Sequence, residues 1–239
     1  MTAGRFITLE GGEGTGKSTQ VALLALRLRG AGLEVVTTRE PGGTEGAEAI
    51  RALLVNGSTD RWSPAAEALL VNAGRADHVE RLIRPMLAAG TWVISDRFAD
   101  STMAYQGAGK GLSDASLRSL HHLAAADLWP DLTLVLDLPV EVGLGRAASR
   151  PGGEGRFEAH DADFHARVSQ GFRELAAAEP RRCRLIDAEG EEADVAARIW
   201  AEVMAMHTVE TVLERNPGEL AGTSGSGTAH LGELDSGDD

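Results

Sequence analysis

Apolar residues along the chain fall into short unbroken runs, separated by longer stretches in which they recur at every third or fourth position. Five runs predict strands: RFITLE at residues 5–10, LEVVTTR at 33–39, TWVISD at 91–96, DLTLVLDL at 131–138 and CRLID at 183–187. The stretches between them predict helices over about residues 17–29, 45–55, 64–89, 113–126, 140–148, 161–178 and 191–215. Gly30 and Gly32 stop the first helix, Ser113 is placed to cap the helix that follows it, and EPGGT is a turn cluster. Strands alternating with helices predict an α/β fold with a parallel five-stranded sheet. The runs are almost continuous in Val, Ile and Leu, so helices are expected on both faces of that sheet. No internal repeat interrupts the pattern.

The periodicity ends near residue 215, and from Asn216 onward Gly, Ser, Thr, Asp and Glu dominate. Such a segment has too little apolar surface to offset its ordering entropy. The expected organisation is one domain over residues 1–215 and an acidic, disordered tail over 216–239. Net charge is −13, which argues against a nucleic-acid backbone as partner. Anionic ligands must therefore be held by local arginines and backbone N–H groups. No apolar run is long enough for a membrane span, and the N-terminus lacks the pattern of a signal peptide. No membrane partner is expected, and the cytoplasm is the expected location. Cys183 is the only cysteine, which excludes an internal disulfide and fits a reducing compartment. His121, His122, His160 and His165 show no metal-ligand spacing and read as packing or surface residues.

The first strand runs into GGEGTGKS, residues 11–18, which matches G-x-x-x-x-G-K-[ST] and is followed by a helix. Gly11, Gly12, Gly14 and Gly16 let the backbone curl until its N–H groups converge on phosphate oxygens. The helix that begins there offers its positive end to the same anion. Lys17 brings a compact charge to the β- and γ-phosphates, and the Ser18 hydroxyl can ligate Mg²⁺. Only two of the 23 basic residues are lysine, Lys17 and Lys110, so a chain that otherwise uses arginine has lysine where the phosphate cradle wants it. The loop marks a P-loop NTPase-type sheet, yet ATPases, GTPases and kinases all carry it. The guanine-reading N-K-x-D segment of GTPases is absent.

Ligands of open parallel sheets bind at the carboxyl ends of the strands. The third strand ends in Asp96-Arg97-Phe98, which should converge with the phosphate loop. Asp96 can hold the Mg²⁺ shell or orient an acceptor, and Arg97 can clamp an acceptor phosphate.

Six segments in order resemble bacterial thymidylate kinases over about residues 5–210: FITLEGGEGTGKSTQ, TTREPGGTEGAEAIRALL, ALLVNAGRADHVERLIRPML, WVISDRFADSTMAYQGAG, LVLDLPVEVGLGRAASR and RFEAHDADFHARV. The resemblance implies transfer of the γ-phosphate of ATP to dTMP, with Mg²⁺, in dTTP biosynthesis, and a homodimer. It implies that Gly11, Gly12, Glu13, Gly14, Thr15, Gly16, Lys17, Ser18 and Thr19 form the ATP site. Ser18 and Asp96 are the implied metal contacts. It assigns Glu13 to the dTMP sugar, Arg97 and Arg51 to the dTMP phosphate, and Arg75 to the thymine edge. Thr102 and Gln106 lie near the base, and Tyr105, the only tyrosine, crowds the sugar 2′ position. The chain departs from the family at Val71, where a phenylalanine usually stacks on thymine.

Arg146, Arg150 and Arg156 surround a glycine-rich stretch over residues 151–155, and the P-loop has no arginine of its own. Charge on a transferring phosphoryl group needs such a cation. The chain therefore resembles the lid-arginine type of the family, and Lys17, Asp96, Arg150 and Arg156 are the expected catalytic residues. Another nucleoside or nucleoside monophosphate kinase, and a non-catalytic NTP-binding module, are the alternatives to be separated.

Overall fold

Strands β1 (Phe6–Glu10), β2 (Val35–Arg39), β3 (Trp92–Asp96), β4 (Leu132–Asp137) and β5 (Cys183–Asp187) pair in the order β2-β3-β1-β4-β5. Every pairing is parallel. This computed structural model describes residues 4–149 and 155–215, with side chains described as far as residue 206. The acidic tail and Arg150 lie outside the described residues. Contacts divide the chain into two units at Val203, and the whole sheet belongs to the unit that ends there. Of the second unit, the described part is the remainder of the last helix, through Arg215.

The helices are α1 (Lys17–Gly30), α2 (Glu45–Val55), α3 (Pro64–His78), α4 (Arg84–Ala88), α5 (Ala99–Thr102), α6 (Asp114–Ala125), α7 (Val140–Ala148), α8 (Gly155–Glu158), α9 (Ala162–Ala178) and α10 (Glu192–Arg215). Thr44, Ser63, Ser113 and Asp161 cap α2, α3, α6 and α9 by accepting a backbone N–H of the first turn. All five residues of β1 are buried, as a central strand covered on both faces requires. Phe6 and Val93 pack with Val79, Ile83, Phe98 and Ala125 from the helical layer. Val135 and Cys183 pack instead with Phe164, Val168 and Phe172 of α9. Cys183 is a core residue, and burial pushes its thiol up to about 12. Among the described residues no helix is long and apolar enough to cross a membrane.

Two stretches depart from the sequence pattern. The helix expected over 64–89 is α3 and α4 joined through a wide π-helical turn, Val79–Ile83. Residues 99–109, for which the pattern predicts no element, form α5 and a second π-helical turn, Met103–Gly109. The glycines that read as breakers there are contact points. A Cβ on Gly109 would stand 2.6 Å from the Phe164 ring, and one on Gly171 of α9 would stand 2.6 Å from the Ala108 Cβ. Small residues let the two backbones close on each other.

His121 of α6 sits among aromatic rings, 4.2 Å from the Trp129 centroid and 5.8 Å from that of Phe98. Its Nε2 bonds the Leu128 carbonyl at 3.0 Å, and its Nδ1 is buried with no partner among the described residues. Burial, then the charge of Arg75, lowers its pKa to about 4. The unfolded chain therefore binds this proton more readily than the fold does, so the stability involved is present above about pH 6.5 and is lost as pH falls toward 4. His121→Phe is expected to shrink the drop in melting temperature between pH 7 and pH 5. An undiminished drop in the variant would show that His121 does not carry it.

Candidate active site

Residues 11–18 wrap from β1 into α1, and the loop is shaped by backbone contact. Gly16 stands at the N-cap of α1 with φ 89° and no side-chain cap, so the first N–H groups of the helix stay open to an anion. Gly14 has φ 66°, and a Cβ there would lie 1.9 Å from the Gly143 carbonyl oxygen of α7. A Cβ on Gly143 would in turn lie 2.4 Å from the Glu13 carbonyl oxygen. The middle of the loop is thus seated on α7 through a pair of glycines.

Lys17 folds back onto the loop and donates to the carbonyls of Gly11 at 3.2 Å and Gly12 at 2.5 Å, and to Thr15 Oγ1 at 3.2 Å. Burial, then the charge of Arg97, lowers its pKa to about 8. Ser18 Oγ, in the first turn of α1, donates to Asp96 Oδ2 at 2.6 Å, which ties the start of that helix to the end of β3. These are two hard oxygens of the kind Mg²⁺ takes, with its remaining positions left to phosphate and water. Among the described residues no group of three or more His, Cys, Asp or Glu gathers to hold a metal. Gly14, Thr15, Gly16 and Thr19 also line a second cavity beside the loop, with Arg146 on one side and Gly190, Glu191 and Glu192 on the other.

On the opposite side of the loop lies a cleft walled by Glu13, Val71, Arg75, Arg97, Thr102, Tyr105, Gln106 and Phe157. Glu13 turns away from the phosphate side. Its Oε1 accepts from Arg97 Nη2 at 3.0 Å and from the Tyr105 hydroxyl at 2.6 Å. Burial alone would raise the Glu13 carboxyl, but Arg97, Lys17, Tyr105 and His165 bring it down to about 2. The guanidinium of Arg97 also donates to the Gly11 carbonyl at 2.8 Å and to Ser101 Oγ at 3.2 Å. Three of its five N–H groups are used in this way, and the guanidinium also lies against Tyr105, 5.0 Å from its ring centroid.

Arg75 is almost wholly buried. It donates to Glu40 Oε2, Asn72 Oδ1, the Phe98 carbonyl and Thr102 Oγ1 at 2.8–3.2 Å. Four of its five N–H groups are spent, and the residue lines the cleft wall. Glu40 is shared with His78 Nδ1 at 3.0 Å and is held below the usual carboxylate range by Arg75 and His78 against the cost of burial. Gln106 donates Nε2 to Glu67 at 2.8 Å. A carboxylate only accepts, so the amide is fixed with its carbonyl oxygen left for the cleft. Arg51 is not on the cleft wall. It donates to the Pro41 carbonyl at 2.5 Å, near enough to Asp96 and Arg97 for their charges to act on it.

Arg156, expected among the catalytic residues, is placed away from the phosphate loop in this structure. It is 1 % exposed, pairs with Glu67, and donates to the carbonyls of Leu54, Ser58 and Thr59 at the end of α2 and beyond. A buried cation takes the carboxylate and orphan helix-end carbonyls within reach. Lys110, the other rare lysine, donates to the same Glu67 at 2.8 Å. Glu10, Glu40, Glu67, Ser101 and Gly143 also belong to the site or its supports, although no sequence motif assigns them a role. Glu40 lies within the TREPGGT segment and Glu10 closes the first strand, but neither position reveals its partners.

The thymidylate kinase family profile matches residues 9–199. The chain belongs to the thymidylate kinase family. It is 55 % identical to the thymidylate kinase of Rhizorhabdus wittichii over 197 residues, 82 % of this chain and 95 % of the relative. It is 56 % identical to that of Caulobacter vibrioides over 199 residues, 83 % of this chain and 95 % of the relative. The crystal structure of thymidylate kinase from Ehrlichia chaffeensis superposes with a TM-score of 0.68 at 34 % identity, covering 84 % of this chain and 99 % of that one. The fold is that of the family, a parallel five-stranded P-loop sheet flanked by helices.

The seat of the P-loop on α7 gives a direct test. Gly143→Ala forces the Glu13 carbonyl to move, an overpacking cost of roughly 1–3 kcal/mol. A lower melting temperature and higher KM values for both nucleotides are expected. Gly145→Ala is the control, because nothing lies within 4 Å of an added Cβ there. Equal behaviour of the two variants would mean that the glycine contact does not seat the loop.

Proposed function

We propose that the chain performs the thymidylate kinase reaction, transfer of the γ-phosphate of ATP to dTMP, across the contact between Arg97 and the phosphate loop. The chain is a nucleoside monophosphate kinase by family. The observation that carries the assignment of sites is the position of Arg97: one N–H rests on the Gly11 carbonyl at 2.8 Å while the same guanidinium faces the cleft. An acceptor phosphate clamped by Arg97 would lie beside a triphosphate held on the loop.

In this reading ATP binds on Gly11–Thr19, its phosphates on the loop N–H groups and its nucleoside in the cavity lined by Arg146 and Glu191. Lys17 exchanges the loop carbonyls for the β- and γ-phosphates, which are stronger acceptors. dTMP fills the cleft, with its phosphate on Arg97, supported by Arg51, and its sugar against Glu13 and Tyr105. The thymine edge meets Arg75, with Thr102 and Gln106 alongside. An oxygen of the dTMP phosphate attacks the γ-phosphorus in line, the bond to the bridging oxygen breaks, and ADP leaves. Mg²⁺ held by Ser18 and Asp96 would spread the charge of the phosphates. Arg150 is the lid cation proposed for the transferring group, since Arg156 is committed to Glu67.

Homodimerisation is proposed as well: α3 and α6 lie side by side and each presents an exposed leucine, Leu69 and Leu123. The charge of −13 and the single, buried cysteine support a cytoplasmic enzyme with no nucleic-acid or membrane partner.

Acceptor-dependent ADP release with dTMP, dUMP, dCMP and AMP tests the whole assignment. dTMP is expected to be preferred, and ATP consumption independent of any acceptor would overturn it. Lys17→Ala is expected to lower kcat about 10²- to 10³-fold, the usual loss for one transition-state donor, while keeping the melting temperature. Arg150→Ala should lower kcat with little effect on either KM, and wild-type turnover in that variant would eliminate the lid role. Val71→Phe adds the missing aromatic face and is expected to lower the dTMP KM, by at most the 1–3 kcal/mol or so that base stacking supplies. An unchanged or higher KM would mean the base does not lie against α3.

A further inference from the structure

Arg97 has a backbone conformation that needs explaining. Its φ is 71°, in the left-handed region that non-glycine residues seldom occupy, at a cost of about 1–3 kcal/mol. The residue joins β3 to α5, and the twist aims its guanidinium back over the end of β1. Something must hold the backbone there. Its own N–H reaches the Leu9 carbonyl at 3.0 Å, and its carbonyl accepts from Ser95 Oγ at 2.7 Å.

The remaining restraint comes from Glu10, the last residue of β1, which is wholly buried. Its Oε1 accepts the backbone N–H of Phe98 at 2.7 Å, the peptide bond directly after Arg97. Its Oε2 accepts the hydroxyl of Ser101 at 2.5 Å. Ser101 Oγ in turn accepts from Arg97 Nη1 at 3.2 Å. One carboxylate therefore grips the residue both through its backbone and, by way of a hydroxyl, through its guanidinium. The neighbouring buried acid, Asp100, is not part of this grip, for its carboxylate is taken by Arg182 and Thr133.

We propose that Glu10 is a positioning residue for the acceptor phosphate, acting through Phe98 N–H and the Ser101 hydroxyl to hold Arg97 in the twisted conformation that places its guanidinium on the cleft wall. This rests on the assignment of Arg97 to the acceptor phosphate. The polarity of the chain follows from its ends. Arg97 can only donate and the ionised Glu10 can only accept, so with Glu10 ionised the Ser101 hydrogen points toward Glu10 and its lone pairs toward Arg97. With that hydrogen directed elsewhere, Ser101 would no longer present a fixed acceptor to the guanidinium. Removing the hydroxyl would leave Nη1 held by the Gly11 carbonyl alone.

Glu10→Gln is the sharp variant. It keeps the volume and one acceptor for Phe98 N–H, but turns an amide N–H₂ toward Ser101 and so reverses the relay. Burial, then the charge of Asp100, already pushes the Glu10 carboxyl up to about 7, so an uncharged isostere is compatible with the interior. Ser101→Ala breaks the relay at its middle, and Ser101→Thr restores the hydroxyl.

Steady-state kinetics with dTMP and ATP, together with melting temperatures, read the outcome. Glu10→Gln and Ser101→Ala are each expected to raise the dTMP KM about tenfold, the scale of one lost charge-assisted hydrogen bond, with the ATP KM held within about twofold. The double variant should be no worse than the weaker-binding single one, because both interrupt the same chain. Ser101→Thr should return the dTMP KM to near wild type. An unchanged dTMP KM in both single variants, an equal rise in both KM values, or multiplying effects in the double variant would each overturn the proposal. If Glu10→Gln fails to fold, Ser101→Ala and its threonine rescue decide the matter. Wild-type enzyme with no dTMP-dependent turnover would instead reject the underlying assignment of the site.

Discussion

The guanidinium of Arg97 is the point at which the two halves of the site are joined. It rests on a carbonyl of the phosphate loop, pairs with Glu13, and is gripped from below through Ser101. These partners come from the loop that follows β1 or from α5, just beyond β3, so the contact depends on those strands being neighbours in the sheet. A single cation thereby links the phosphate loop to the cleft, the two places that the proposed reaction assigns to a triphosphate and an acceptor phosphate. Phosphoryl transfer asks the protein chiefly for positioning and charge, and this arrangement supplies both.

The chain carries a large negative charge, yet its functional centre is built from arginines. The two facts fit because the arginines of the site and its supports are matched locally by carboxylates. Arg75 is met by Glu40, Arg97 by Glu13, Arg182 by Asp100, and Arg156 with Lys110 by Glu67. Such pairs add little net stability, since desolvation offsets their attraction. Their value lies in direction. A guanidinium whose other N–H groups are occupied offers the remaining ones along a fixed line, and a ligand meets donors that need no reordering. The same logic applies to Gln106, whose amide is oriented by Glu67.

Small residues do comparable work for the backbone. The P-loop is seated against α7 where two glycines leave a backbone-to-backbone contact, and α9 closes on the second π-helical turn through Gly171 and Gly109. The sequence pattern reads those glycines as breaks, and for residues 99–109 that reading misses an element of the acceptor wall. A breaker and a close-contact glycine are the same letter. Only the presence of a second backbone tells them apart. Arg156 carries the related lesson for charge: an arginine beside a glycine-rich stretch suggests a phosphate ligand, but here it pairs with a buried carboxylate on α3, Glu67.

What the sequence determines by itself is whatever depends on local spacing. The five strands, the helices at 45–55 and 140–148, the serine cap of α6 and the phosphate loop are fixed by periodicity and by residues within a few positions of one another. The convergence of Asp96 and Arg97 on that loop also follows, because strand ends gather in a parallel sheet. What tertiary structure alone decides is which groups, far apart in the chain, become partners. Glu10 with Ser101, Arg75 with Glu40, Arg156 with Glu67, and Gly14 with Gly143 are separated by 35 to 129 positions. Hydrogen bonds and steric contacts act over a few ångströms, and no pattern in the chain encodes such a distance until the sheet has brought the pieces together.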